Sequence, residues 1–323
     1  MSRTLVMHVG VGKTGSSSIQ KALESFCTTN YEGKTKYPIS PASGLFSEYM
    51  YRAFENGYEK DKSAVDNAFS NEQFSEFIIS GEALSHGDLL TKVKLMDYVS
   101  SKFDKVEIVA YVREPFKWNA AASSQLLIDG IPITDLARWP YVVTQYGFLE
   151  VFLEYAKSIN GIQLHIHKFE DAIEHKNGIS GHFFDILQSL NLQDVPKVSN
   201  NLHENKSYDI LQYIWLGHMN RLLKEEKISH QEHSDFAFLN YRAGNSNKLW
   251  SKKFFQFFCT EKALQAISYD RLMLNERFGL DYGAVSIDPQ LVIQSNSIMS
   301  KFSECSSVSE MIKVLELHQL EVK

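Results

Sequence analysis

The segment Leu5-Val6-Met7-His8-Val9 breaks into Gly10-Val11-Gly12-Lys13-Thr14-Gly15-Ser16-Ser17-Ser18, and a helical pattern takes over from Ile19. A strand that feeds a glycine-rich turn opening a helix commits the chain to an α/β unit. Glycine permits the tight turn, while the amides of a first helical turn lack intrahelical acceptors and lie at the positive end of the helix dipole. An anion is the natural occupant of such a place. Lys13 adds a full positive charge, and the hydroxyls of Thr14, Ser16, Ser17 and Ser18 add donors. The loop therefore reads as a cradle for a phosphate or a related oxyanion.

The rest of the chain supplies neighbours for that strand. Apolar runs at 4–9, 76–80, 106–112 and 162–168 alternate with segments of helical pattern. The alternation predicts a parallel sheet covered by helices on both faces, because parallel strands need crossover connections. Val106 to Val112 is largely β-branched and apolar, as a strand buried on both faces requires. Lys13, Glu82 and Arg113 each follow a predicted strand directly. Three separate stretches are thus expected to meet at the carboxyl edge of one sheet, where open α/β sheets bind their ligands.

The triphosphate-binding loop, G-x-x-x-x-G-K-[ST], is matched only in part: Gly12-Lys13-Thr14 fits its end, but its first glycine would fall on Met7. The stretch from His8 to Gln20 instead resembles the 5′-phosphosulfate loop of sulfotransferases that use 3′-phosphoadenosine 5′-phosphosulfate (PAPS). Arg113-Glu114-Pro115, after a strand and before a helix, resembles the 3′-phosphate element of the same family. Where that element carries a serine this chain has Ala121, and Ser123 on the same helix is the candidate replacement. Phe77-Ile78-Ile79-Ser80-Gly81-Glu82 is similar to the strand-Ser-x-Glu element of bacterial sulfotransferases, and the order of elements from Tyr146 to Glu170 follows theirs. The likeness runs from about residue 4 to 190 and is concentrated in the two loops.

The resemblance implies a P-loop-NTPase-like sulfotransferase fold: an α/β core over 1–200, a helical insertion at about 30–75, and a mainly helical extension over 201–323. It implies an enzyme that moves a sulfuryl group from PAPS to a hydroxyl, or an amine, of a carbohydrate or small metabolite, without a metal, and leaves adenosine 3′,5′-bisphosphate. Gly12, Lys13, Thr14, Gly15, Ser16, Ser17 and Ser18 would hold the phosphosulfate, with Lys13 stabilising the leaving oxygen. Arg113 and Ser123 would hold the 3′-phosphate, and Glu82 or His86 would act as base toward the acceptor. Read from residue type alone, Glu82 serves equally well as a helix-start residue or as an ion-pair partner of Lys13 or Arg113. The alternative function is a P-loop-like kinase or nucleotide hydrolase with a degenerate loop. It needs a magnesium-binding carboxylate at a strand end, and none of the four predicted strands ends in Asp.

A formal net charge of -6 argues against a general binder of nucleic acid or anionic membrane, which needs a basic face. A local basic cleft is still expected, built from Lys13, Arg113 and Lys92 or Lys94. Cys27, Cys259 and Cys305 are widely spaced and odd in number, giving no disulfide framework, and the first strand leaves no room for a leader or anchor; a cytoplasmic enzyme is expected. His165 and His167 share a strand face without a third ligand at metal-binding spacing. The insertion's aromatics, among them Tyr37, Phe46, Tyr49, Tyr51, Phe54 and Tyr58, read as core before sugar platform. Tyr208, Leu211, Ile214, Trp215, Met219 and Leu222 predict a helix with one buried face.

Overall fold

A computed structural model of the protein describes residues 2–29, 35–37, 46–57, 59–85, 88–138, 146–193, 195, 210–235, 261–283, 297, 298 and 300–317. The chain divides into two compact units, the first comprising residues 1–114, 145–204 and 278–280, the second 115–144, 205–277 and 281–323. The segment 115–144, which the sequence reading places in the α/β core, therefore groups with the helical unit.

The first unit is built on a five-stranded sheet in the order β2-β3-β1-β4-β5. Its strands are β1 (Thr4–Gly10), β2 (Thr35–Lys36), β3 (Glu76–Gly81), β4 (Lys105–Val112) and β5 (Ile162–Lys168). Every pairing is parallel: Val6 lies opposite Ile78 on one side and Glu107 on the other, and Ile108 lies opposite Leu164. The four strands expected from the apolar runs are present. The short β2 adds an edge that two residues, Thr35 and Lys36, are too few to announce.

Helices cover both faces. On one side α1 (Ser16–Thr29) and α8 (Gly178–Ser189) pack together, and Ile19, Leu23, Phe183 and Leu187 close over Val6, Ile78, Val109 and Tyr111. On the other side α2 (Phe46–Asn56), α4 (Leu89–Lys102) and α6 (Gly147–Ser158) meet β3, β4 and β5, with α3 (Glu59–Phe69) against α2. Phe69 stands edge-on to Phe46, Phe77 and Phe103, so the aromatics of the insertion serve largely as core. Phe46 and Tyr51 are buried on this side and Tyr37 beneath α1 and α8, whereas Tyr58 lies outside the described residues.

The second unit holds α5 (Pro115–Ile128), α9 (Ile210–Lys224), and the helices Glu261–Phe278, save its last residue, and Val308–Leu317. Leu127, Ile133, Tyr213, Ile214, Leu216, Phe302 and Met311 form its core. The buried face expected of α9 holds at Ile214 and needs correcting elsewhere: Trp215 is 44% exposed and Met219 and Leu222 are half-buried, while Tyr213, Leu216 and Asn220 are buried. Tyr208 and the Leu211 side chain lie outside the described residues. The reason is that α9 is packed by α5, by the 3-10 segment Ile133–Arg138 and by Val308–Leu317. Three neighbours bury several sides of the helix and leave only a narrow stripe outside. Among the described residues no helix is long and apolar enough to cross a membrane.

Candidate active site

The loop after β1 has the shape its composition promised. Lys13 adopts φ 69 and Gly15 φ 81, so the backbone twice enters the left-handed region on its way into α1. For Lys13 that conformation is uncommon, which marks the loop as held by its surroundings. At Gly15 a side chain would be strained by the positive φ, and its Cβ, 2.8 Å from Ile179 Cδ1, would force Ile179 to shift. Thr14, fully buried, donates its hydroxyl to Val11 O at 2.6 Å and braces the turn from within. The helix begins at Ser16, three residues before the apolar periodicity starts, and Gly15 O accepts from Ser18 N (3.0 Å) and Ile19 N (3.2 Å). Ser17 is exposed, Gly12, Lys13 and Ser18 are half-buried, and the buried Ser16 Oγ has no partner within the described residues.

Glu82 arrives from the neighbouring strand. It opens a 3-10 turn (Glu82–Leu84) directly after β3, and a Cβ on Gly12 would lie 3.2 Å from its Oε2. The carboxylate therefore rests against the glycine of the loop. Ser85 ties the two elements together, its Oγ lying 2.7 Å from both Gly10 O and Glu82 O. The other candidate base, His86, lies outside the described residues.

Arg113 comes from the strand on the opposite side of β1. Its Nη1 donates to Lys13 O at 3.3 Å, and its guanidinium lies over the Phe169 ring, 5.1 Å from the centroid. Tyr146 holds the residue's backbone from both ends, accepting from Arg113 N (3.0 Å) and donating to Arg113 O (2.7 Å). Burial pulls the guanidinium below its usual pKa, opposed by the charges of Glu170 and Glu114. Loop, carboxylate and guanidinium thus gather at the carboxyl edge of β3, β1 and β4, as the spacing of the sequence predicts. Ser123 belongs to the second unit, where it is buried on α5. Lys92 is buried on α4, where desolvation lowers its pKa against the favourable charge of Asp88.

Three contributors escape sequence reading: Ser85, Tyr146 and Glu170. Glu170 lies in the first turn of α7 (Phe169–Glu174) and accepts from Glu114 N with both oxygens, at 3.3 and 3.4 Å. Each acts on another residue's backbone from a distant part of the chain, and nothing in its immediate sequence announces that. His165 pairs with Glu107 at 2.7 Å, and Lys105 reaches the same carboxylate at 2.5 Å. His167 instead stacks against Tyr111 and His182. Among the described residues no group of three or more His, Cys, Asp or Glu is arranged to hold a metal ion. Comparison with protein-family models and with curated proteins finds no match.

Proposed function

We propose that the protein is a sulfotransferase that takes PAPS as donor and transfers its sulfuryl group to a hydroxyl or amine of a carbohydrate or small metabolite. The observation that carries this reading is the 3.3 Å bond from Arg113 to Lys13 O, which puts the two resembling loops side by side. Two phosphate groups on one nucleoside require such neighbouring sites. The amides at the start of α1, the Ser16 hydroxyl and Lys13 would receive the phosphosulfate, and Arg113 the second phosphate.

Sulfuryl transfer asks little covalent chemistry of a protein. An acceptor oxygen attacks in line while charge grows on the phosphate that leaves, so positioning and electrostatic stabilisation supply the rate. Lys13 and the loop amides suit that developing charge. Glu82 is close enough to the loop to take the acceptor's proton. The sheet order, with the loop strand central, is compatible with a P-loop-like fold.

Glu82 also supports the competing reading, since a carboxylate against the loop is where a kinase or nucleotide hydrolase would place magnesium. Thr14, which would share that ion, is fully buried, its hydroxyl proton given to Val11 O. Thermal denaturation separates the two readings. PAPS or adenosine 3′,5′-bisphosphate should raise the melting temperature, and Lys13→Ala and Arg113→Ala should each cut sulfate transfer by about 100-fold or more. A shift with ATP and magnesium but none with PAPS would transfer the assignment to the kinase or hydrolase class.

A further inference from the structure

The backbone conformation does not call for a glycine at position 12. Its φ lies outside the left-handed region, so a side chain would not be strained there. What a side chain would meet is Glu82: a Cβ would stand 3.2 Å from Oε2 and 3.7 Å from Cδ, and the carboxylate would have to give way. Gly12 is the seat on which that carboxylate rests. The backbone of Glu82 is fixed on both sides. β1 and β3 stay paired as far as Val9 and Gly81, after which β3 turns into the segment Glu82–Leu84. The buried Ser85 then meets the Gly10 carbonyl in place of a strand amide, its Oγ 2.7 Å from both Gly10 O and Glu82 O, while its own amide donates to Glu82 O at 3.0 Å. Behind, Ser47 of α2 donates to Ser80 O at 2.8 Å and stands where a Cβ on Gly81 would collide with it.

One hydroxyl thus joins the last residue of the loop strand to the backbone of the carboxylate that faces the loop. We infer that Ser85 is a positioning residue for the transfer step, holding the Glu82 carboxylate on Gly12 where it can take the acceptor's proton. The inference rests on the sulfotransferase reading, in which Glu82 is the base. In that step the acceptor oxygen bonds to sulfur as the bond from sulfur to the phosphate oxygen breaks. The electron pair leaves with the bisphosphate, and the acceptor's proton passes to Glu82. Ser85 touches none of these atoms, so its effect has to pass through Glu82. The loop keeps its other anchors without it: Gly10 pairs with Tyr111, Thr14 donates to Val11 O, and Arg113 donates to Lys13 O.

Two measurements on the full chain test this together: release of adenosine 3′,5′-bisphosphate from PAPS, with water or glucosamine as acceptor, and calorimetric titration with the bisphosphate. Ser85→Ala should slow release on the order of tenfold or more through kcat, with bisphosphate affinity unchanged. Ser85→Thr keeps the hydroxyl and should recover most of the loss. In a Glu82→Gln background Ser85→Ala should slow release no further, because the group it positions has lost its function. Losses that multiply overturn the inference, as does a fall in bisphosphate affinity that matches the fall in rate. Should Ser85→Ala fail to fold, Ser85→Cys, a weaker donor, takes its place in the same cycle, and a wild-type rate in Ser85→Cys is the overturning result. Bisphosphate binding without release from PAPS under either condition overturns this inference alone. A wild-type protein that binds no bisphosphate brings down the sulfotransferase reading as well.

Discussion

Beneath α2, α4 and α6 the sheet presents Leu5, Met7, Phe77, Ile79 and Ile108, and rings meeting edge to face fill the space. Beneath α1 and α8 it presents His8, Ser80, Tyr111 and His167 among Val6, Ile78 and Val109. His8 shares a 2.7 Å hydrogen bond with Ser80 and stacks between Tyr111 and Phe183, while the Tyr111 hydroxyl meets His182 Nδ1 at 2.9 Å. The first face is held mainly by shape, with the Arg3 guanidinium lying over Phe77 and Phe103 at its rim; the second adds polar contacts, although His8 Nε2 and His167 Nε2 find no partner among the described residues. The polar ladder also lies directly behind the site. His8, Tyr111 and His167 stand two residues before Gly10, Arg113 and Phe169 respectively. Hydrogen-bonded layers of this kind fix orientation more than they add stability, which suits a platform for loops that must not drift.

The contrast can be tested from both sides. On the apolar face, Phe77→Ala should cost about 3–5 kcal/mol in denaturant unfolding, because the rings of Phe69 and Phe103 would line the gap. A loss under about 1 kcal/mol would mean that this face relaxes freely and is not held by shape.

On the polar face the expected signature is acid lability. Burial holds His8 down to about 3 and His167 to about 4, and lowers His182 as well, so these rings stay neutral in the folded state. In the unfolded chain they protonate near 6.5. Between the two values the unfolded state binds more protons, so stability is fully present above pH 6.5 and declines as pH falls toward 4. His8 alone should contribute about 1 kcal/mol per pH unit across that window. His8→Asn should flatten the slope by that amount, and an unchanged slope would show that the ring is not buried neutral. The smallest effect belongs to Tyr111→Phe, which deletes one hydrogen bond to His182 and should cost about 1 kcal/mol. A stabilised variant would show that the ladder is redundant.

The same contrast explains what could be read from the chain. Strands buried on both faces appear as unbroken apolar runs, and the β1 loop concentrates glycine, lysine and hydroxyls within a few residues, so both stand out locally. The carboxyl-edge position of Lys13, Glu82 and Arg113 followed from parallel topology. Illegible were the residues whose function depends on a partner far along the chain. Tyr146 is about thirty positions from the backbone it grips and Glu170 more than fifty from the amide it faces. Glu107 lies inside an apolar run yet is fully buried, because Lys105 and His165 outweigh the cost of burying it and lower its pKa. Trp215 misled for the opposite reason: periodicity shows that a helix has a buried face, but its neighbours decide which sides are covered.

The position of β1 in the middle of the sheet has a kinetic consequence. Thr4 pairs with both Glu76 and Lys105, so the strand leading into the candidate cradle cannot be flanked on both edges until more than a hundred residues have left the ribosome. Closing such wide loops is slow, and until then an apolar ribbon waits with unpaired edges open to other nascent chains. Slower elongation before β4 would prolong that exposure, and a chaperone that shields the first ten residues would shorten it.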